Sequence, residues 1–562
     1  MQTEVWAVGV FGQTRASIKG RATQSATSGV CNGLPDALVF ETGRPVLPTI
    51  HPRPSSHTIH MLHFNFGHIG ALPVRRVGLR SSSPASDAQT STDATADAPT
   101  DIDNGVSAFG LAQAVPPDPI LSIRDAFLKD PTPGKVNLSV GVYRTDEGQP
   151  LVLDCVQEAE DMMLAEQLAG KANKEYLPPL GLQDFCTRSL KVLLGDAIQP
   201  ALEAGRVVTT QSLSGTGGLH LAARLLAQIM PGTTVHLPSP TWPIHPDIFL
   251  ETGLRVAYYP YYNAATRTLD FDLMLATLRS LPAGSAVLFH ACAHNPTGCD
   301  PTKDQWRRIA EAVAHRGLLP IVDSAYQGLA SGDLDEDGYG ARCLLGIPNA
   351  ELITIQSFSK NMGLYAERAG VMTVVCRDAD VAGRVGETLG RIVRLSYSSP
   401  AQHGSRIVHT ILSDPARLSA WKAELKLMAE RLLEMRRAFS AALSRAQCPP
   451  PQRPWTPGRS PAHLEVMPEV AGCTSDGTTP WPHVLSQRGM FTYSGLTAEH
   501  AEALRARHHV YLPSDGRICM AALTHETCDR VAAAIKDVLE RGTDNATAAA
   551  DETLPIKRTR VA

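Results

Sequence analysis

Residues 206–230 read RVVTTQSLSGTGGLHLAARLLAQIM. The opening RVVTT (206–210) is rich in β-branched side chains, which pack well on a pleated surface and crowd a helix. QSLSGTGG (211–218) is small and polar and turns the chain. LHLAARLLAQIM (219–230) then repeats leucine and alanine at helical spacing. Strand, turn and helix therefore follow one another directly. The same order recurs outward from this stretch. Further short apolar strands are predicted at TTVHL (233–237), AVLFH (286–290), LLPIVD (318–323), LITIQ (352–356) and VMTVVC (371–376). Helical spacing marks 156–168, 182–194, 271–281 and 304–317. Strands apolar on both faces, alternating with helices, predict an α/β fold: a mostly parallel sheet, six strands of which are read here, with helices on either side.

The pattern changes near residue 415. A long amphipathic helix is expected over 419–446, then strand-like GMFTYSGL (489–496) and RICMAAL (517–523), then a helix over 528–542. This predicts a smaller α+β domain over 416–542, to which 117–150 contributes, beside a large domain over 151–415. The Pro- and Gly-rich 449–480 reads as a surface-loop insertion. The tail 543–562 reads as flexible.

The first 86 residues differ from the rest, with eight Lys/Arg against three Asp/Glu and many Ser, Thr, His and Pro. An Arg-bearing, acid-poor leader reads as an organellar transit peptide, with VRRVGLRSSS (74–83) as the processing region. It points to the mitochondrion, with the chloroplast close behind, or to the cytoplasm if the extension is not used for targeting. Residues 87–116 read as a low-complexity, disordered linker. Overall the chain of 562 residues is 43% hydrophobic with a net charge of −4, which gives no reason to expect nucleic acid or an anionic membrane as partner. Eleven cysteines without a C-x-x-C pair argue against a zinc site or a disulfide framework, so no metal is expected.

In open parallel sheets, ligands sit beyond the carboxyl ends of the strands. The turns there carry the chemistry. QSLSGTGG opens a helix and offers backbone N–H groups to an anion, although many strand–helix turns are Gly- and Ser-rich merely to turn. PSPTWPIH (238–245) holds Trp242, either a core residue or a plate for a planar ring. ACAHNPTG (291–298) presents the Asn295 amide. Asp323 ends an apolar strand, where a carboxylate needs a buried cationic partner. SFSKNMGLYAER (357–368) places Lys360 among hydroxyls, with Arg368 eight residues on.

Two readings of Lys360 compete with a plain surface lysine. Ser357-x-x-Lys360 matches the S-x-x-K pattern of serine acyl enzymes, but the companion K-T-G and S-D-N strings are absent. Alternatively Lys360 is a nucleophile that forms a Schiff base with a carbonyl cofactor. An acid for a ring nitrogen (Asp323), an amide and a phenol for a ring oxygen (Asn295, Tyr326), an indole for the ring face and a hydroxyl–arginine clamp describe one ligand, pyridoxal 5'-phosphate.

The motifs NLSVGVYR (137–144), YLPPLG (176–181), SLSGTGG (212–218), PTWPIH (240–245), HACAHNPTGCDPT (290–302), DSAYQGLASG (323–332), QSFSKNMGLYAERAG (356–370), RIVRLSYSSPAQHG (391–404), GMFTYSGL (489–496) and DGRICMAAL (515–523) occur in this order over about 117–541. By them the chain resembles the aspartate aminotransferase family of class I, fold-type I pyridoxal-phosphate enzymes, in an organellar form. The resemblance implies that Lys360 bonds the cofactor and shuttles the proton. Asp323 pairs with the ring nitrogen, backed by His245, and Tyr326 and Asn295 hold the ring oxygen. Trp242 stacks on the ring. Ser214, Gly215, Thr216, Ser357 and Arg368 bind phosphate, joined by Tyr176 of a neighbouring subunit. Arg517 with the Gly141 backbone takes the substrate α-carboxylate, at a site that Trp242 and Asn295 also line. Arg394 of the neighbouring subunit takes the distal carboxylate.

A homodimer with shared sites follows, acting on dicarboxylic amino acids and 2-oxo acids: L-aspartate plus 2-oxoglutarate gives oxaloacetate plus L-glutamate, by a ping-pong course. A broad-range or aromatic aminotransferase on the same scaffold is the alternative, and a non-catalytic cofactor-binding scaffold a more distant one. Ile244, Ser399, Ser139 and Ala522 depart from the family's usual residues, and none of them removes a catalytic group.

Overall fold

The computed structural model describes residues 109–110, 112–115, 118–451 and 481–541. All lie in one of two units of the chain, 107–562. The transit peptide expected over 1–86, most of the 87–116 linker, nearly all of the 449–480 insertion and the tail from 542 lie outside the described residues.

A seven-stranded sheet runs in the order Val207–Leu213, Ala369–Val375, Leu352–Ser357, Leu319–Ser324, Ala286–His290, Thr234–Ser239 and Arg255–Pro260. Every neighbouring pair is parallel except those made by Ala369–Val375, which is antiparallel to both its neighbours. The mostly parallel sheet expected from the sequence is therefore present. Its faces alternate as a pleat requires. Ala286 and Leu288 pack with the helices Ser214–Ile229 and Ala379–Ser396, while Val287 and Phe289 pack with Lys303–Arg316 and Phe271–Ser280. Each leucine-sized side chain buried this way contributes roughly 1.5–3 kcal/mol.

The largest apolar cluster follows the long helix Pro415–Arg445. Trp421, Leu425, Met428, Leu432, Met435 and Phe439 recur at spacings of three and four and meet Val531, Ile535 and Val538 of His525–Arg541. Val136–Asn137 pairs in parallel with Val510–Tyr511, so the N-terminal segment forms a two-stranded ladder with the C-terminal part of the chain. The long helix also ties in the helix Asp154–Leu168. Leu153 offers no side-chain cap, and Glu424 instead accepts from the N–H groups of Asp154 (2.7 Å) and Cys155 (3.0 Å).

Two local expectations are corrected, and two elements are added. QSLSGTGG is not a loop: Gln211–Leu213 complete the strand and the helix begins at Ser214. Sheet pairing carries the extended backbone past the threonines, and Ser214, at φ +59°, makes the turn alone. RICMAAL is strand only over Arg517–Cys519, after which a short 3-10 turn follows. The helix Ala379–Ser396 and the edge strand Arg255–Pro260 had no expectation, since charges and glycines interrupt the first and tyrosines dilute the second. Among the described residues, no helix is long and apolar enough to cross a membrane.

Candidate active site

Strand ends and their turns converge on one cleft. Ser214, Gly215, Thr216, Trp242, Asn295, Asp323, Tyr326, Ser357, Lys360 and Arg368 all line it. The antiparallel pairing explains how the lysine segment arrives there. Leu352–Ser357 and Ala369–Val375 are bonded neighbours, so the loop between them carries Lys360 and returns Arg368 beside Ser357.

At one end of the cleft, Ser214 Oγ lies 2.7 Å from both Ser357 Oγ and Ser359 Oγ. Arg368 donates to Ser359 Oγ at 3.2 Å and to the Tyr365 carbonyl at 2.9 Å. Three hydroxyls and a guanidinium thus gather at the start of a 16-residue helix, where backbone N–H groups and the helix dipole also favour an anion. Gly370 permits this approach: a Cβ there would come within 2.7 Å of Ser214 Cα.

Asp323, near the end of its strand, has Oδ2 at 3.3 Å from His245 Nε2, while its buried Oδ1 has no hydrogen-bond partner. The contacts behind it set a direction. Asn295 N–H donates to His290 Nδ1 at 3.3 Å, so His290 Nε2 carries the hydrogen toward Thr241 Oγ1, also at 3.3 Å. Thr241 then donates to His245 Nδ1 at 2.8 Å, leaving His245 Nε2–H for the carboxylate. Burial works against ionisation of Asp323, but the His245 bond and the neighbouring positive groups outweigh it and hold the carboxyl below its ordinary range. Burial, with His245, takes His290 down to about 3, so it stays neutral.

In the same cleft, the Lys360 amine sits 5.2 Å from the centre of the Tyr326 ring. Burial lowers it to about 8; Asp323 opposes the shift, and Arg368 and Arg517 add to it. Asn295 bridges two other groups. Its amide donates to Tyr326 OH at 3.3 Å, and its oxygen accepts from Arg517 at 3.0 Å. Arg517 also donates to the Ser139 carbonyl at 2.7 Å and lies over the Phe491 ring at 4.1 Å. Gly141 packs against that ring, and a Cβ there would meet Phe491 Cζ at 2.7 Å. Trp242 stands edge-on to His245, with ring centres 5.2 Å apart.

Of the predicted residues, Arg517 and Gly141 do not line the cleft, Arg517 being joined to it through Asn295, and two more stand apart from it. Tyr176 is 84% exposed, and Arg394 lies exposed on Ala379–Ser396, bonded to Ser398 Oγ. Three residues in contact with the predicted site had no role assigned from the sequence: Ser359, Thr241 and His290. Ser359 neighbours Lys360 in the quoted SFSK, and His290 ends an apolar strand just as Asp323 does. Those positions were the available signals.

This sheet, with a lysine and a carboxylate facing each other across a cleft at its strand ends, is the frame of a cofactor-dependent transferase. Residues 133–535 match the family described as aminotransferase class I and II, and the chain belongs to that family. A cytoplasmic aspartate aminotransferase from Oryza sativa subsp. japonica is 45% identical over 426 residues, covering 76% of this chain and 96% of that protein. Aspartate aminotransferase 3, chloroplastic, from Arabidopsis thaliana is 41% identical over 469 residues, covering 83% and 97%. The crystal structure of an aromatic-amino-acid aminotransferase from Burkholderia pseudomallei, covalently bound to pyridoxal phosphate, aligns with a TM-score of 0.68 at 36% identity, covering 77% of this chain and 100% of that one.

Proposed function

We propose that the protein is a pyridoxal-phosphate-dependent aspartate aminotransferase, converting L-aspartate and 2-oxoglutarate into oxaloacetate and L-glutamate. The observation that carries this is that one cleft holds Lys360, an anion cradle and the orphaned Asp323 Oδ1. A buried carboxylate oxygen without a partner fits a protonated ring nitrogen, and the Ser214–Ser357–Arg368 cluster fits a phosphate. When bound, the cofactor supplies an aldehyde for the lysine amine and a protonated ring that takes up the electron pair freed at the substrate α-carbon.

The chain's own residues do the rest. Asp323, steadied through His245, Thr241 and His290, holds the ring proton in place. Trp242 covers the ring face, and Tyr326 with Asn295 binds the ring oxygen. Arg517, aimed by Asn295 and the Ser139 carbonyl, takes the α-carboxylate beside Gly141. Lys360, its amine partly neutral near pH 8, would take up the substrate α-proton and hold it for return. Tyr176 and Arg394, outward-facing in one chain, reach the sites of a partner subunit, where Arg394 reads the distal carboxylate. The protein therefore works as a homodimer, with large and small domains over 151–415 and 416–542 and the N-terminal segment 117–150 joining the small one. Its acid-poor leader directs it to an organelle.

Purified protein loaded with pyridoxal phosphate should show a visible absorbance band that shifts on adding aspartate, and should turn over aspartate much faster than phenylalanine. Equal rates would favour the broad-range reading, and a band indifferent to both amino acids would remove the assignment.

A further inference from the structure

We infer that Asp300 is a positioning residue for the transamination site: its carboxylate pins the turn 291–298 and so fixes Asn295 between Arg517 and Tyr326. This rests on the roles proposed above for Asn295 and Arg517. Asp300 does not line the cleft, and no role was assigned to it from the sequence.

The turn needs an external anchor. Ala293 adopts φ +48°, a left-handed conformation that costs a residue with a side chain on the order of 1 kcal/mol or more. That conformation turns two successive N–H groups to the same side. Both are taken by Asp300, Ala293 N–H by Oδ2 at 2.7 Å and His294 N–H by Oδ1 at 3.0 Å. From the opposite side the turn is closed in by Gly489, where a Cβ would stand 2.3 Å from Ala293 Cβ. Gly298 N–H bonds back to the His294 carbonyl at 2.7 Å, and Arg488 N–H bonds Gly298 at 2.7 Å. The turn is therefore clamped between a carboxylate and the backbone of the segment 488–489.

Asn295 leaves this clamp one residue after His294. Its three contacts run to His290, Tyr326 and Arg517, at 3.3, 3.3 and 3.0 Å. A displacement of the turn moves all three together. Burial raises the Asp300 carboxyl to about 6, the two N–H bonds pull the other way, and Asp337 and Arg488 add opposing charges, so at neutral pH it is the ionised, two-bond acceptor. Sequence position alone would class it as the residue before the Pro301–Thr302 cap of the following helix.

The test uses the cofactor-loaded full chain with Asp300→Asn, Asp300→Glu, Asn295→Ala and the double variant Asp300→Asn/Asn295→Ala. Asparagine fills the same space but offers an amide where one N–H needs an acceptor. Kinetics on aspartate and 2-oxoglutarate, the affinity for succinate as a non-reacting dicarboxylate, and melting temperature are measured. Asp300→Asn should lose kcat/KM by on the order of 10²-fold, chiefly through KM for both substrates, with succinate binding falling in parallel. In the Asn295→Ala background the same change should cost less than about twofold. Asp300→Glu, which keeps the charge but moves its oxygens, should show the same KM-weighted loss in smaller degree, and decides the matter if Asp300→Asn does not fold. A full multiplicative loss in the double variant, or a lowered melting temperature with unchanged KM and succinate affinity, overturns the positioning role. Wild-type kinetics in Asn295→Ala alone would overturn the role of Asn295 and this inference together.

Discussion

Lys360 is a weak base made useful by its surroundings. An ordinary lysine near 10.5 is almost wholly protonated at pH 7, whereas this amine is lowered to about 8 by burial and by Arg368 and Arg517. Only the neutral amine attacks an aldehyde. The rate at which cofactor-free protein takes up pyridoxal phosphate should therefore rise with pH and reach half its limit near 8. A half-point near 10 would mean that the amine faces water. Lys360→Ala should lose at least roughly 10²–10⁴-fold in transamination rate, as expected when a positioned base is removed, and stopped-flow measurement of the first half-reaction checks it. At this scale much was legible. Lys360, Asp323, Asn295 and Arg368 stand in stretches whose composition is odd for their setting: an amine among hydroxyls, an acid ending an apolar strand. Thr241 and His290 were not legible, because a threonine in a turn and a histidine on a strand are ordinary until the fold lays them in line behind Asp323.

Elements meet at this site through contacts that tolerate little added volume. Gly370 lies in the antiparallel strand where Ser214 turns into its helix, and a methyl there would press on Ser214 Cα and the Gln356 carbonyl, both at 2.7 Å. Gly370→Ala should cost about 1–3 kcal/mol. Calorimetry should show a melting temperature several degrees lower, and equilibrium dialysis a weaker hold on the cofactor; unchanged values would mean that the strands part without strain. A second joint is held by a single side chain. Glu424→Ala removes the acceptor that caps Asp154–Leu168 from outside and should cost about 1 kcal/mol in thermal or urea unfolding, with turnover at 25 °C unaltered. The sequence showed that both helices exist. It could not show that the cap of one lies on the other, 270 residues away in the chain.

At the scale of the whole molecule, the proposed homodimer gives two otherwise unplaced residues a role. Tyr176 and Arg394 are exposed and line no part of their own cleft. If each completes a neighbour's site, Lys360→Ala and Arg394→Ala, both poor aspartate aminotransferases alone, should regain activity when co-expressed, because a mixed dimer carries one intact site. Assay of the purified mixed dimer against both parent homodimers checks this, and no gain would place Arg394 outside the shared site. Alternating apolar strands and helices determined the sheet by themselves, since residues buried on both faces of a parallel strand leave a continuous apolar run. The ordered motifs determined the cofactor chemistry, since each side chain's type limits what it can bind. Only the tertiary structure decided that Ser214 begins a helix, that Ala369–Val375 runs against its neighbours and so returns Arg368 to Ser357, and that Asp300 grips the turn bearing Asn295. Those outcomes depend on which backbone N–H and carbonyl groups come together across long separations, and local sequence does not encode distance.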